Sequence, residues 1–210
     1  MKQRSESLKS ELKHLNVGIF TLQETHYKKK GILSIEGFEI FEAIRRKEFG
    51  GTMIGVQQAL DPVLIVEYCD DFELIVVEAK IKNKSVRIIS GYGPQECWPM
   101  DERLPFFQAL EEEVTKAGLA GSSVIISLDA NSKLGKEWIP EDSHKQSPNG
   151  RVLSGILKRH ALFVANSLQG RSTGTITRRR TTVDGEEKST IDFLILSADL
   201  VEDVETHQQQ

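Results

Sequence analysis

Val124-Ile-Ile-Ser-Leu-Asp-Ala-Asn131 is an aliphatic run that ends on a carboxylate, with a side-chain amide two residues further on. Apolar runs of about four to eight residues, bounded by turn signals, read as strands buried on both faces. Residues 124–128 therefore predict a central strand, and Asp129 stands where that strand leaves the core. From there Asp129 can take a proton from water, while Asn131, on the same side, donates to fix the carboxylate or to hold a phosphate oxygen. That pairing suits general-base hydrolysis. An Asx turn that simply closes the strand is the alternative reading of the same residues.

Upstream of this strand, Leu104, Phe107, Leu110 and Val114 fall on one helical face, with Pro105 near the first turn and Gly118 at the end. Downstream, a polar loop runs to Pro148, where Asn149 can cap a helix carrying Val152, Leu153, Ile156 and Leu157. Residues 17–22, 38–43, 52–57, 63–68, 74–81 and 86–92 are strand-like, separated by Gly, Asn, Asp or Pro. The last two, joined by Lys82-Asn83-Lys84-Ser85, predict an antiparallel hairpin. Residues 162–165, 175–183 and 190–196 complete the strands, with Asp184-Gly185 expected in the turn between the last two. Leu8, Leu12 and Leu15 predict a helix before all of them. Many strands with short connections and scattered helices imply an α+β fold, a two-layer β-sandwich of mostly antiparallel sheets flanked by helices. No strand is followed by Gly-x-Gly-x-x-Gly or Gly-x-x-x-x-Gly-Lys-Ser/Thr, which sets aside nucleotide binding by those modes.

A chain of 210 residues with a formal net charge of −4 fits one domain over 1–210 and does not coat nucleic acid by bulk charge. Phosphate contact is left to local basic patches at Lys28 to Lys30, Arg45 to Lys47 and Arg178 to Arg180, each of which is also readable as a solvated face. Cys69 and Cys97 are too few for a disulfide framework and are not spaced as zinc ligands, so a reducing, intracellular setting is expected. Neither a signal peptide nor an apolar run of about 18 residues is present, so no membrane partner is expected.

Three more positions are chemically unusual. Glu24 directly follows the apolar run of residues 17–22, as a strand-end carboxylate suited to a hard cation such as Mg2+, or as an ordinary loop acid. Asp192 plants a charge inside the apolar strand Ser189-Thr-Ile-Asp-Phe-Leu-Ile-Leu196, where an ionised carboxylate needs a partner unless the strand is an exposed edge. Tyr92 lies between Gly91 and Gly93, whose small size would let a substrate backbone approach a phenol able to donate to phosphate. A core tyrosine is the alternative. His26, His144, His160 and His207 lack metal-site spacing and read as structural or exposed.

Taken in order, Leu22-Gln-Glu-Thr25, Gly91-Tyr-Gly-Pro94, Leu128-Asp-Ala-Asn131 and Ile191-Asp-Phe-Leu194 resemble the signature blocks of the DNase I-like endonuclease/exonuclease/phosphatase superfamily. Gly50-Gly51-Thr-Met-Ile54 resembles its Gly-Gly strand. Asp129-Ala-Asn-Ser-Lys-Leu-Gly135, Ser147-Pro-Asn-Gly150 and Thr175-Ile-Thr-Arg-Arg-Arg180 look most similar to endonuclease domains of non-LTR (LINE-type) retrotransposon polyproteins. The resemblance implies Mg2+-dependent nicking of DNA, with Mn2+ as an alternative metal. By it, Glu24 would bind the metal, Tyr92 would contact the scissile phosphate, and Asp129 and Asn131 would position the attacking water. Asp192 would orient a histidine, while Thr175, Arg178, Arg179 and Arg180 would lie near DNA. It further implies a reverse transcriptase in the same polyprotein and work in the nucleus.

Two departures temper that expectation. The family begins with a strand bearing a metal-site Asn, which Asn16 does not match, and ends with a Ser-Asp-His strand that His207 does not reproduce. A domain truncated at both ends, inactive or nearly so and less stable than an intact one, is therefore expected. A non-catalytic nucleic-acid-binding or protein-binding remnant, or a phosphomonoesterase or phospholipid hydrolase of the same superfamily, are the other readings.

Overall fold

Alternate residues of strand β5 (Glu73–Ile81) serve two different cores. Leu74 and Val76 join Phe106, Phe107, Leu110 and Val114 of helix α2 (Met100–Leu119). Ile75, Val77 and Ala79 instead face Phe41, Ala43, Ile54 and Val56 of strands β2 (Phe38–Ala43) and β3 (Thr52–Gln57). The two-residue period of a strand thus makes β5 a partition between a helical layer and a second sheet. This arrangement comes from a computed structural model that describes residues 2–44, 50–140, 145–168, 176–182 and 185–203.

The remaining elements fall into the same layers. Strands β4 (Val63–Tyr68), β6 (Lys84–Tyr92), β7 (Ser123–Asp129), β8 (Leu162–Val164) and β11 (Asp192–Ser197) join β5 in a sheet of order β4-β5-β6-β7-β11-β8. Strand β1 (Ile19–Gln23) completes the smaller sheet, of order β1-β3-β2. Helices α2 and α3 (Pro148–Arg159) cover the outer face of the large sheet through Leu153, Ile156 and Leu157 with Phe193 and Ile195. Helix α1 (Lys2–His14) covers the small sheet, where Leu12, Phe20, Leu33, Ile35 and Met53 form a third cluster. Burying each large apolar side chain in these cores stabilises by roughly 2–3 kcal/mol. The expected α+β sandwich flanked by helices is what forms.

Described strand pairs are antiparallel except β6 with β7. A parallel pair needs a long crossover, and α2 supplies it. Its consequence is functional: β6 and β7 end at the same rim, with Tyr92 opposite Asp129.

Several local expectations are corrected. The β5–β6 turn is only Lys82-Asn83, both at positive φ, so Lys84 and Ser85 belong to the strand. Helix α2 runs past Gly118, and Gly121 (φ +70) takes the left-handed position instead. There Ser122 N–H donates to Ala117 O and Gly121 N–H to Gly118 O, which satisfies two terminal carbonyls. Asn149 does not cap α3: the Ser147 hydroxyl accepts from Gly150 N at 3.2 Å, and Asn149 is buried inside the first turn. Gly185 begins an unforeseen strand, β10 (Gly185–Ser189), which pairs with β9 (Arg178–Thr182) in a two-stranded arm. Its Gly-Glu-Glu-Lys-Ser sequence has no apolar alternation to reveal it. Thr175, His144, His207 and the Arg45 to Lys47 patch lie outside the described residues.

Candidate active site

The face of the large sheet that meets the small one changes character along its strands. Ile88 and Ile125 lie in the apolar inter-sheet core; two residues further are Ser90 and Ser127, and two further still are Tyr92 and Asp129. Strand β1 changes in step, from Ile19 through Thr21 to Gln23 and then Glu24. The middle layer is a zip of hydrogen bonds between sheets. Thr21 Oγ1 donates to Ser127 Oγ at 2.7 Å, Gln23 Nε2 to Ser90 Oγ at 2.9 Å, and the Thr52 and Ser90 hydroxyls lie 2.6 Å apart. Buried hydroxyls paired in this way lock the two sheets in one register and so fix where their ends meet. None of Thr21, Gln23, Thr52, Ser90 and Ser127 was singled out from sequence. The only trace was a hydroxyl within each of two otherwise aliphatic strands.

At the rim, Tyr92, Asp129 and Asp192 stand side by side on β6, β7 and β11, because Tyr92 pairs with Asp129 and Asp129 with Asp192. Strand β8 pairs with β11 only over Ile195–Ser197, and at Asp192 the backbone is instead closed by Asn166 and Thr177. Glu24 is exposed at the end of β1 with φ +52, and Tyr92 Oη donates to its Oε1 at 2.8 Å. Thus Glu24, Tyr92, Asp129 and Asp192, found in four separate segments of sequence, meet at one place.

Asn131 joins them by an unexpected route. Its φ of +43 takes it off the line of β7, and its N–H donates to Asp129 Oδ1 at 3.1 Å. The Asx turn and the functional pairing are therefore one structure. Asn131 Nδ2 donates to Gly93 O at 2.9 Å, and the Asn131 side chain lies near enough to the Tyr92 hydroxyl to act against the rise of its pKa. With its Nδ2 engaged at Gly93 O, Asn131 has its Oδ1 as the acceptor it can offer a ligand.

Electrostatics mark the same centre. Burial, then repulsion from Asp192 and Glu24, lifts the Asp129 carboxyl to about 7 against the hydrogen bond from Asn131 and the charge of Arg178. Asp192 is raised mainly by burial, with Glu24 adding to it and Thr177 and Arg178 opposing. Burial and the bond to Glu24 push the Tyr92 phenol up to about 12. Arg178, expected at DNA, thus acts on both aspartates, while in the backbone register of the arm Arg179 stands opposite Lys188 and Arg180 opposite Glu187. Thr177, not foreseen, ties the arm to the site: its Oγ1 accepts from Ile191 N and Asp192 N, each at 3.1 Å. Asn166 braces the other side, donating to Asp192 O at 3.0 Å and accepting from Leu194 N at 3.2 Å.

Among the described residues no group of three or more His, Cys, Asp or Glu is gathered closely enough to hold a metal ion. Mg2+ asks less, being held by one or two carboxylates with waters completing its shell. Three carboxylates that share a rim and raise two of one another's pKa values form a negative field that a divalent cation would relieve, so the donor chemistry fits.

The glycines flanking Tyr92 serve packing. Gly93 donates to Asp129 O at 2.6 Å, and a Cβ on it would lie 2.6 Å from Ala130 O. A methyl there must force β6 and β7 apart. Gly93→Ala is expected to destabilise the fold by about 2 kcal/mol and to remove the Asn131 contact, which chemical denaturation and amide hydrogen exchange at residues 129–131 would register.

These features define the class by fold: the chain has a DNase I-like α+β sandwich. Among solved structures it is similar to the endonuclease domain of TRAS1, a telomere-specific non-LTR retrotransposon, at 18% identity and TM-score 0.68, over 94% of this chain and 81% of that one. The AP endonuclease LMAP from Leishmania major matches at 12% identity and TM-score 0.72, over 96% and 76% of the two chains. The APE2 catalytic domain of Xenopus laevis does so at 15% and 0.70, over 95% and 80%. No protein-family model matches the sequence, and neither does any curated protein.

Proposed function

We propose that the protein is a divalent-metal-dependent phosphodiesterase that nicks DNA. The observation that supports this reading most is the meeting of Glu24, Tyr92, Asp129, Asn131 and Asp192 at one sheet rim. Glu24 would hold Mg2+, or Mn2+, which when bound neutralises charge developing on the phosphate. Asp129, with its carboxyl at about 7, is poised to take a proton from water near neutral pH. Asn131 Oδ1 accepts from the same water and fixes its orientation. Asp192, held by Thr177, keeps negative charge beside Asp129 and so keeps it basic. Tyr92 aligns Glu24 with Asn131 and turns toward phosphate once Glu24 engages the cation. Arg178, Arg179 and Arg180 on the arm, with Thr175, are the candidates for DNA backbone contact.

Water attack would break one P–O3′ bond, leaving 5′-phosphate and 3′-hydroxyl ends. The likeness to a retrotransposon endonuclease extends the proposal to a reverse transcriptase partner that uses the 3′-hydroxyl as primer, and to action in the nucleus. No helix among the described residues is long and apolar enough to cross a membrane. Supercoiled plasmid with Mg2+, with and without EDTA, tests the reading. Conversion to open circle that EDTA abolishes is expected, whereas hydrolysis of p-nitrophenyl phosphate with plasmid left intact would replace the proposal with a phosphomonoesterase.

A further inference from the structure

We infer that Asn149, on α3 and separate in sequence from the residues at the rim, is a positioning residue for Asn131; the inference rests on the proposed nuclease reading. Asn149 is fully buried, at 0% exposure, and its side-chain bonds lead in two directions. Its Oδ1 accepts from Arg103 Nη1 at 2.7 Å, and its Nδ2 donates to Pro94 O at 2.8 Å. Its backbone N–H also points at the loop after β6, donating to Glu96 Oε1 at 3.3 Å. Arg103 is itself buried, at 7% exposure, on α2.

The loop that Asn149 holds is the one that orients Asn131. Gly93 O, the carbonyl immediately before Pro94, accepts from Asn131 Nδ2, and Gly93 N–H donates to Asp129 O. A line of polar contacts therefore runs from α2 through Asn149 to Pro94 O, across the Pro94 residue to Gly93 O, and on to the amide of Asn131. If Gly93 O turns away, Asn131 loses the bond that keeps its N–H groups inward and its Oδ1 outward. Its amide can then flip and present a donor where the water needs an acceptor. An Asn at this place is specific: one end must accept from a guanidinium and the other donate to a carbonyl, and only a carboxamide of this length does both.

The discriminating change is Asn149→Asp. It keeps the shape and the Arg103 contact, so the fold is retained, but it replaces the donor to Pro94 O with a second acceptor. Expected is a fall in kcat for plasmid nicking of about 10- to 100-fold with KM for DNA little changed, the signature of misplaced chemistry. Asn149→Ser, too short to reach Pro94, should behave alike. In both variants the side-chain NH2 resonances of Asn131, assigned by 15N NMR, are expected to move toward solvent-like positions. That readout does not depend on activity: if the wild-type chain fails to nick plasmid, the nuclease reading falls, while the resonances still report whether Asn149 controls Asn131. Unmoved Asn131 resonances together with wild-type kcat in the Asp variant would overturn the inference.

Discussion

Asp129→Asn is expected to reduce plasmid nicking by about 1,000-fold, the scale of a lost general base, and at the same time to stabilise the protein above neutral pH. The first effect follows because an amide cannot take the proton of the attacking water. The second follows from the raised pKa. With the carboxyl lifted from 3.8 to about 7, the folded chain holds a proton that the unfolded chain releases across that interval. Stability contributed by the protonated form is complete below about pH 4 and is lost progressively as the pH rises to about 7. Above that, the ionised carboxylate costs the fold on the order of 2 kcal/mol once solvent at the open rim is allowed for. Asn keeps the acceptor for the Asn131 N–H and carries no charge. At pH 8 without metal, Tm should rise by about 5 °C, and the gain should shrink toward zero at pH 4. A variant that melts below the wild type at pH 8, or that nicks normally, would refute the account of Asp129.

Glu24→Gln should also bring Mg2+-dependent nicking down by about 1,000-fold, through a different step. Glu24 is exposed and carries no core packing, so the melting temperature without metal should hardly change. What should vanish is the response to metal. A ligand at about 100 times its Kd stabilises a fold by about 2.7 kcal/mol, and Mg2+ should raise the wild-type Tm accordingly. Thermal melts of both proteins across a Mg2+ titration decide the matter, and an undiminished shift in the Gln variant would place the metal elsewhere.

Asp129→Asn and Glu24→Gln thus separate two roles that the wild-type rim merges. In one the carboxylate is costly because it is crowded and buried; in the other it is cheap because it is exposed and aligned by Tyr92. On the proposed reading, a cation held at Glu24 would relieve the unfavourable charge stored in Asp129.

Much of the architecture was legible from residue patterns. The strands at 38–43, 52–57 and 63–68 match β2, β3 and β4 end for end, because two-residue alternation and flanking turn residues are local signals. Gly121 was passed over for Gly118 because both follow the helical stripe, and only the carbonyls of the last turn select between them. Strand β10 was invisible since its pairing with β9 is a matter of backbone hydrogen bonds, which its charged side chains do not advertise.

Within the candidate site the division is similar. By itself the sequence determined that Glu24 and Asp129 end apolar runs and that Asp192 is a charge among apolar residues, expected inside a strand that the structure instead begins at Asp192. It also determined that a carboxamide follows Asp129 by two residues, since chain order and hydropathy are properties of the chain alone. Only the tertiary structure decided that these groups share one rim, that Thr177 and Asn166 brace Asp192, that Asn131 gives its amide to Gly93 O, and that Asn149 reaches back from α3 to hold the loop at Pro94. Those facts depend on strand register and on hydrogen bonds between residues tens of positions apart. No periodicity along the chain encodes which carbonyl a distant amide will meet.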